Sequence, residues 1–259
     1  MSRIRSFANH FITAKRGGHG VHSPFVYELA TNVIADKREH IAYKLPEVYF
    51  DELRNTSEVL EHTELGAGQT QNKKLSVSAI ANRSAVTPKW GRLLHRLVRF
   101  THPSLVVELG TSLGVGSLYM ASALDKPAKL FTYEGSPQIA TFAEQSFDRM
   151  GLSDTITLFN GNIDEKFPQS AALIDKIDFA FIDANHKFTP TLKYFSWLAE
   201  KSHHDTIIVL DDIHWSKQME LAWLEVQNLP GVTITVDLYR FGLVFFKEGQ
   251  AKEHFKIWV

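Results

Sequence analysis

The stretch LVVELGTSLGVGS, from Leu105 to Ser117, decides the fold. Its apolar run predicts a buried strand, which ends in the acidic Glu108 and a glycine-rich turn. In α/β proteins, an acid and an open turn at the carboxyl end of a strand form a site for a nucleoside cofactor. The spacing Glu-x-Gly-x-x-x-Gly lacks the Gly-x-Gly-x-x-Gly frame of a dinucleotide site and the lysine of a P-loop. It therefore favours a cofactor without a pyrophosphate.

From Pro103 onward, apolar strand-like segments alternate with helix-like segments. We predict parallel strands at about 105–109, 129–133, 155–159, 178–182 and 206–210. The segments 232–237 and 240–247 are too close in sequence for a parallel crossover, so they are expected to pair as an antiparallel hairpin. The predicted fold class is α/β, with a Rossmann-like seven-stranded, mostly parallel sheet whose last strand is antiparallel and whose faces carry helices.

The chain before this alternation has a different character. Residues 24–35 and 46–60 carry apolar side chains at helical spacing. The stretch ELGAGQ, residues 64–69, follows a polar segment rather than a buried strand, so we expect a flexible loop there. The predicted organisation is a helical extension or lid over residues 1–87 and a cofactor-binding domain over residues 88–259.

Composition narrows the partners and the location. The chain has 259 residues, a formal net charge of −1 and no cysteine. Such a charge gives no general attraction for nucleic acid, and no apolar run approaches the ~18–20 residues that cross a bilayer. The absence of cysteine excludes disulfides and thiolate zinc sites and fits a reducing compartment. We expect a cytoplasmic protein that acts on a small molecule, without a nucleic-acid or membrane partner; a homodimer is left open.

Two further strand ends offer groups for a nucleoside. Glu134 closes the second predicted strand, where a carboxylate can accept hydrogen bonds from both ribose hydroxyls of adenosylmethionine or NAD. Asn162 and Ile163 follow the third strand and offer a polar amide and an apolar flank for an adenine ring.

Acids and histidines gather after the fourth and fifth predicted strands, in FIDANH and VLDDIHW. They are Asp183, His186, Asp211, Asp212 and His214. Because the carboxyl ends of parallel strands share one edge, three carboxylates there would repel one another unless a cation, a proton or a positively charged ligand compensates. Oxygen ligands favour Mg²⁺, Mn²⁺ or Ca²⁺, although an acid could instead pair with a base. Trp215 is the aromatic residue most expected to touch a substrate.

The motifs VVELGTSLGVGS, TYE, FIDANH and VLDDIHW resemble those of class I S-adenosylmethionine-dependent methyltransferases. The resemblance is to O-methyltransferases of the catechol and caffeoyl-coenzyme A type and to related bacterial methyltransferases, over about residues 84–247. It implies S-adenosyl-L-methionine as the cofactor and O-methylation of a small hydroxylated acceptor. The residues implied or expected to hold this cofactor are Glu108, Gly110, Thr111, Ser112, Gly114, Gly116, Ser117, Glu134, Asn162, Ile163 and Asp183.

The same resemblance implies Asp183, Asp211 and Asp212 as ligands of a divalent cation such as Mg²⁺. It also implies Asp183 and His186 as catalytic residues. Asp212 stands where the family has asparagine, and His186 where it has the catalytic lysine. Histidine is a reasonable base, because its ordinary pKa of about 6.5 leaves it largely neutral at physiological pH. We expect His214 and Trp215 to contact substrate, with or without a cation in the site.

Two other functions remain under consideration. One is an NAD-dependent oxidoreductase, against which the glycine spacing and the terminal hairpin argue. The other is a non-catalytic cofactor-binding module of the same fold, which the sequence does not distinguish because binding and catalytic residues overlap.

Overall fold

The computed structural model describes residues 3–16, 21–66 and 69–259. Its α-helices are α1 Arg3–Thr13, α2 Pro24–Glu28, α3 Lys44–Asn55, α4 Val77–Ser84, α5 Pro88–Thr101, α6 Val115–Ala121, α7 Pro137–Arg149, α8 Ile163–Ser170, α9 Phe188–Ala199 and α10 Lys217–Asn228. Its strands are β1 Val59–Gly66, β2 Gln69–Ser76, β3 Leu105–Leu109, β4 Lys129–Glu134, β5 Ile156–Asn160, β6 Ile177–Ile182, β7 Ser202–Leu210, β8 Ile234–Asp237, β9 Gly242–Phe245 and β10 Glu253–Lys256. The chain forms two compact units, Arg38–Asp175 and Met1–Lys37 together with Lys176–Val259.

In the unit Arg38–Asp175, three parallel strands carry the predicted cofactor-binding turns. β3 pairs with β4 and β4 pairs with β5, and helices α6, α7 and α8 follow these strands in the chain. Four of the five residues of β3 are buried, as the apolar run predicts for a parallel strand covered on both faces. The carboxyl ends of the three strands therefore lie at one edge of this part of the sheet.

The polar segment around residues 64–69 differs from its prediction. β1 and β2 pair as an antiparallel hairpin from Val59 with Ser76 to Gly66 with Gln69, while residues 67 and 68 lie outside the described part of the chain. The expected flexible loop is therefore wrong, since alternating backbone hydrogen bonds can order a polar sequence without an apolar run. The helix predicted over residues 46–60 is shorter than expected. It ends at Asn55, and β1 begins at Val59.

In the other unit, β6 and β7 are parallel and β9 runs antiparallel to both β7 and β8. The hairpin predicted from 232–237 and 240–247 is confirmed as β8 and β9. A further strand, β10, pairs in parallel with β8. The antiparallel strand is thus β9 rather than the last strand of the sheet.

The predicted fold class is confirmed, with one difference in strand number. Among the described residues, the unit Arg38–Asp175 has three strands of the mostly parallel type and the other unit has five, eight in all where seven were expected. The boundary between residues 87 and 88 remains a prediction. Among the described residues, no helix has both the length and the apolar character needed to cross a membrane.

Helix α5 approaches α6 closely because it carries Gly91. A Cβ atom at this position would lie 2.1 Å from Cε2 of Tyr119, a ring that is fully buried in α6. Any side chain at residue 91 would therefore displace either the ring or the helix.

We expect Gly91→Ala to lower the free energy of unfolding by about 1–3 kcal/mol through overpacking. This loss exceeds the ~0.5–1 kcal/mol that alanine ordinarily gains over glycine in a helix. Urea unfolding followed by circular dichroism measures the change. In a Tyr119→Leu background the same substitution should cost less, because the colliding ring is gone; a Gly91→Ala protein as stable as the parent would contradict the proposed steric constraint.

Candidate functional site

The turn after β3 is shaped by backbone hydrogen bonds and left-handed residues. The N–H groups of Gly110 and Thr111 both donate to the carbonyl of Tyr133, at 3.0 Å. Gly110, Ser112 and Gly114 have φ values of 106°, 48° and 85°. A Cβ at Gly114 would lie 2.6 Å from Cε1 of Phe147, so the glycine permits close packing of α7. The predicted glycine turn is thus fixed locally at the end of β3.

Glu108 lies in a buried hydroxyl network beneath this turn. It is 1% exposed, and its Oε2 accepts hydrogen bonds from Ser117 and, at 2.6 Å, from Thr132. Thr132 Oγ1 lies 2.5 Å from Thr111 Oγ1. Three predicted cofactor residues, Glu108, Thr111 and Ser117, are therefore engaged in the network that connects β3, β4 and α6.

Glu134 presents a fixed carboxylate at the end of β4. Its Oε2 accepts the N–H of Ser112 and its Oε1 accepts the N–H of Ser136, both at 2.8 Å. Burial raises the pKa of Glu134, and the backbone N–H donors oppose this effect. The Ser136 hydroxyl is buried and makes no hydrogen bond within the described chain. Glu134 and Ser136, two residues apart in the chain, thus offer a carboxylate and a hydroxyl without a partner in the described chain, both suited to bind a hydroxylated ligand.

The groups after β5 are arranged differently. Asn162 is exposed and caps α8, because its Oδ1 accepts the N–H of Asp164 at 3.0 Å. Ile163 is 7% exposed and belongs to the first turn of that helix. Asn162 therefore has a structural role in the chain, and its contact with an adenine ring stays a prediction.

In the second unit, Asp211 forms a bidentate pair with Arg240. Asp211 follows β7 and is 1% exposed. Its Oδ1 and Oδ2 accept hydrogen bonds from Arg240 Nε at 2.8 Å and Nη2 at 2.9 Å. Burial alone would lower the pKa of Arg240, but Asp211, Asp212 and Asp183 raise it above its ordinary value. The guanidinium of Arg240 thus supplies the positive charge that these acids require.

Asp183 and His186 form a second pair beside this one. His186 Nε2 lies 3.3 Å from Asp183 Oδ1, while the buried Nδ1 has no hydrogen-bond partner among the described residues. Asn185 and His186 have φ values of 62° and 35°, so a tight left-handed turn directs the imidazole back to the carboxylate.

The environment shifts the proton affinities of both members of this pair. Burial, followed by the negative charge of Asp211, raises the pKa of Asp183 to about 6. Burial would lower the pKa of His186, but the hydrogen bond and charge of Asp183 raise it, and the net direction is upward. The pair therefore binds protons more readily than its isolated side chains would.

The predicted cation ligands do not fit a divalent ion in this arrangement. Both oxygens of Asp211 face the guanidinium of Arg240, whose Nε also lies 3.9 Å from Asp212 Oδ1. A cation at Asp211 would have to displace this charged fork or lie against it. Asp211 therefore follows the other expectation from the sequence, that an acid pairs with a basic residue, here Arg240.

Arg240, Thr132 and Ser136 are functional candidates that sequence reasoning missed. The two predicted substrate residues differ in their surroundings. Trp215 is 51% exposed, whereas the Nε2 of His214 lies 2.9 Å from Asp237 Oδ2. The repulsion expected among the strand-end acids was the available signal for a basic partner, but no spacing rule identified Arg240.

Comparison with known proteins agrees with this architecture. Residues 107–213 match a family model described as a methyltransferase domain. Over these residues the chain is similar to a methyltransferase domain. A catechol O-methyltransferase from Niastella koreensis is 32% identical to this chain over 133 residues, which cover 50% of this chain and 58% of the relative. Catechol O-methyltransferase of Mus musculus is 33% identical over 95 residues, 36% of each chain. The chain thus spans about half the length or less of these two curated relatives.

Solved structures share the fold of the methyltransferase domain. An O-methyltransferase from Bacillus cereus, in complex with SAH, superposes with a TM-score of 0.56 at 22% identity and covers 64% of this chain and 86% of that one. The SAH-bound methyltransferase PaMTH1 from Podospora anserina gives a TM-score of 0.62 at 16% identity, over 88% and 100% of the two chains. At this identity the structures support the fold, and the resemblance to class I methyltransferases is confirmed.

The Asp211–Arg240 pair predicts a large loss of stability when one member is removed. We expect Arg240→Met to lower the free energy of unfolding by about 3–5 kcal/mol, because it leaves a buried carboxylate without its partner. Chemical denaturation at neutral pH measures this loss. The double variant Asp211→Asn/Arg240→Met removes both charges and should recover part of it; a single variant within ~1 kcal/mol of the parent would show that the pair is dispensable.

Proposed function

We propose that this protein is an S-adenosylmethionine-dependent O-methyltransferase for a small hydroxylated acceptor. The observation that carries the proposal is the fixed carboxylate of Glu134 beside the glycine turn. Both lie in the stretch that matches the methyltransferase family model. The curated relatives named catechol O-methyltransferase support a hydroxyl as the methyl acceptor. The cysteine-free composition supports a cytoplasmic location.

The unit Arg38–Asp175 would hold the methyl donor. The Glu134 carboxylate accepts the N–H groups of Ser112 and Ser136. Because a carboxylate has about four lone-pair sites, it can accept ribose hydroxyls as well. The buried Ser136 hydroxyl lacks a partner among the described residues and could complete this set. When bound, S-adenosylmethionine supplies a methyl group activated by its positively charged sulfur. Glu108 would act indirectly, by holding the turn through Ser117 and Thr132.

Asp183 and His186 would remove the acceptor's proton. Asp183 accepts a hydrogen bond from the Nε2–H group of His186 and so fixes the orientation of the ring. Nδ1 is then the nitrogen that takes the proton from the acceptor hydroxyl. The resulting imidazolium is stabilised by Asp183, Asp211 and Asp212, the same charges that raise the pKa of His186. Proton removal makes the acceptor oxygen the nucleophile for the methyl carbon.

Arg240 would maintain the charge balance of this proton-accepting group. Because it pairs with Asp211, it compensates the acids without a divalent ion, and we derive no step through a cation. A cation-assisted reaction at Asp183, Asp211 and Asp212 is the less favoured form of the proposal.

We expect Glu134→Ala to weaken the binding of S-adenosylhomocysteine by about 10–100-fold, the loss typical of hydrogen bonds to a charged group. Isothermal titration calorimetry measures the affinity. Glu144→Ala removes an exposed acid from α7 of the same unit and serves as the matched control. Equal affinity in the Glu134→Ala protein would refute the ribose-binding role, and tight NADH binding without a response to S-adenosylhomocysteine would refute the proposed function.

We expect His186→Gln to lower kcat for methylation of a catechol acceptor by about 10²–10⁴-fold, as loss of a general base requires. In the parent, the rate should rise with pH through a pKa above the ordinary histidine value, because only neutral His186 accepts a proton. This rise should flatten in the variant. Radiolabelled methyl transfer, measured in EDTA, provides both profiles.

His203→Gln is the control for that experiment, because His203 also pairs with an aspartate, Asp178, at 2.9 Å. It should retain the parental kcat and pH profile. An unchanged rate in His186→Gln would exclude this base. Activity that disappears in EDTA and returns with Mg²⁺ would favour the cation-assisted form, and S-adenosylhomocysteine binding without turnover of any acceptor would favour a non-catalytic module.

A further inference from the structure

A second cluster of metal-binding side chains lies in the unit formed by Met1–Lys37 and Lys176–Val259. It comprises His10 on α1, His214 between β7 and α10, and Asp237 at the end of β8. One ligand atom from each residue can be chosen so that all lie within 4.8 Å of one another. The side chains of His10, His214 and Asp237 are 3%, 16% and 4% exposed. This cluster is therefore buried.

His10 is the member whose environment is incomplete. Its Nδ1 lies 3.3 Å from Asp237 Oδ1, but neither ring nitrogen makes a hydrogen bond within the described chain. His214 Nε2, by contrast, lies at hydrogen-bond distance from Asp237 Oδ2, 2.9 Å away. A buried polar group without a partner is costly, and a bound ion would supply the missing partner.

The donor set and its spacing select the class of ion. Two imidazoles and one carboxylate are typical ligands of Zn²⁺ and other divalent first-row transition ions, whereas Mg²⁺ and Ca²⁺ prefer oxygen. Zn²⁺ bonds of about 2.0–2.1 Å place tetrahedral ligand atoms about 3.3 Å apart. The His10 Nδ1 to Asp237 Oδ1 distance is 3.3 Å. This distance therefore matches the spacing of two ligand atoms on one zinc ion.

Tyr239 contacts all three proposed ligands and restricts their orientation. Asp237 Oδ1 accepts the N–H of Tyr239 at 2.8 Å, which orients the carboxylate. Tyr239 stacks on His214, with ring centroids 5.1 Å apart, and meets the ring of His10 edge-on at 5.6 Å. Glu220 Oε1 lies 3.6 Å from the other nitrogen of His214.

We propose that His10, His214 and Asp237 form a binding site for a divalent transition-metal ion, with Zn²⁺ as the expected occupant. The ion would fasten α1 to the end of β8 and to the turn after β7, with solvent completing its coordination. The role is structural and is separate from the acids at Asp183 and Asp211.

The test uses full-length protein stripped with EDTA and titrated with Zn²⁺ by calorimetry. A second cluster, His203–His204–Asp205, is partly exposed and could also take up the ion, so the titration is made in a His203→Ala/His204→Ala background. We expect this protein to bind one Zn²⁺ and to gain thermal stability. Adding His10→Phe, which retains an aromatic ring, should weaken binding by more than the ~10–100-fold lost when a residue behind a ligand is changed.

A spectroscopic measurement keeps the proposal testable if the variant does not fold. When Co²⁺ binds to the His203→Ala/His204→Ala protein, it should shift the imidazole protons of two histidines in the NMR spectrum. It should also give visible absorption typical of a four- or five-coordinate ion. The proposal is overturned if the background binds no stoichiometric Zn²⁺, if a folded His10→Phe protein retains full affinity, or if Co²⁺ shifts no histidine resonances.

Discussion

The pairing of Asp211 with Arg240 is the interaction on which the acidic end of the second unit depends. A carboxylate with 1% exposure is costly to bury without a partner, and the guanidinium donates a hydrogen bond to each of its oxygens. Arg240 lies in the connection between β8 and β9, so closure of the hairpin brings the charge to the end of β7. Without that closure, the turn that carries Asp211 and Asp212 would lose its main electrostatic support.

Three acids show how one fold assigns different chemistry to the same functional group. Glu108 is buried beneath hydroxyls and holds a turn. Glu134 is oriented by two backbone N–H groups, whose positions are set by the chain itself, and retains lone pairs for a ligand. Asp183 lies 3.3 Å from the Nε2 of His186, and burial and the charge of Asp211 raise its pKa to about 6, so it responds to protons. The number and type of hydrogen-bond donors around each carboxylate therefore separate structure, binding and proton transfer.

The parts of the fold that sequence reasoning predicted well are those encoded by local periodicity. β3 has its predicted bounds, and the terminal hairpin follows from a connection too short for any crossover. β10 was missed because EHFK buries only its phenylalanine and carries no apolar run. The β1–β2 hairpin was missed for a related reason, since its sequence is polar and its order comes from paired backbones.

Within the candidate site, the sequence indicated which residues carry chemistry but not how they pair. Asp183, His186 and Asp211 were identified from their positions after strands. Arg240 was not, because an ion pair between distant residues has no spacing signature. The same limit applies to His10, whose partner Asp237 lies near the other end of the chain. Long-range pairing is determined by topology, which places together side chains that no local pattern connects.

The composition of the second unit from two separate chain segments has a consequence for biosynthesis. Residues up to Lys37 leave the ribosome before the rest of their unit, which begins at Lys176. At ordinary elongation rates the delay is on the order of 10 s. During that interval the unit Arg38–Asp175 can complete its own core. The apolar side chains of Val26, Leu29 and Val33, which are buried in the folded protein, are not yet covered by the later segment of their unit. During this interval, the segment with these three side chains is therefore suited to recognition by a chaperone.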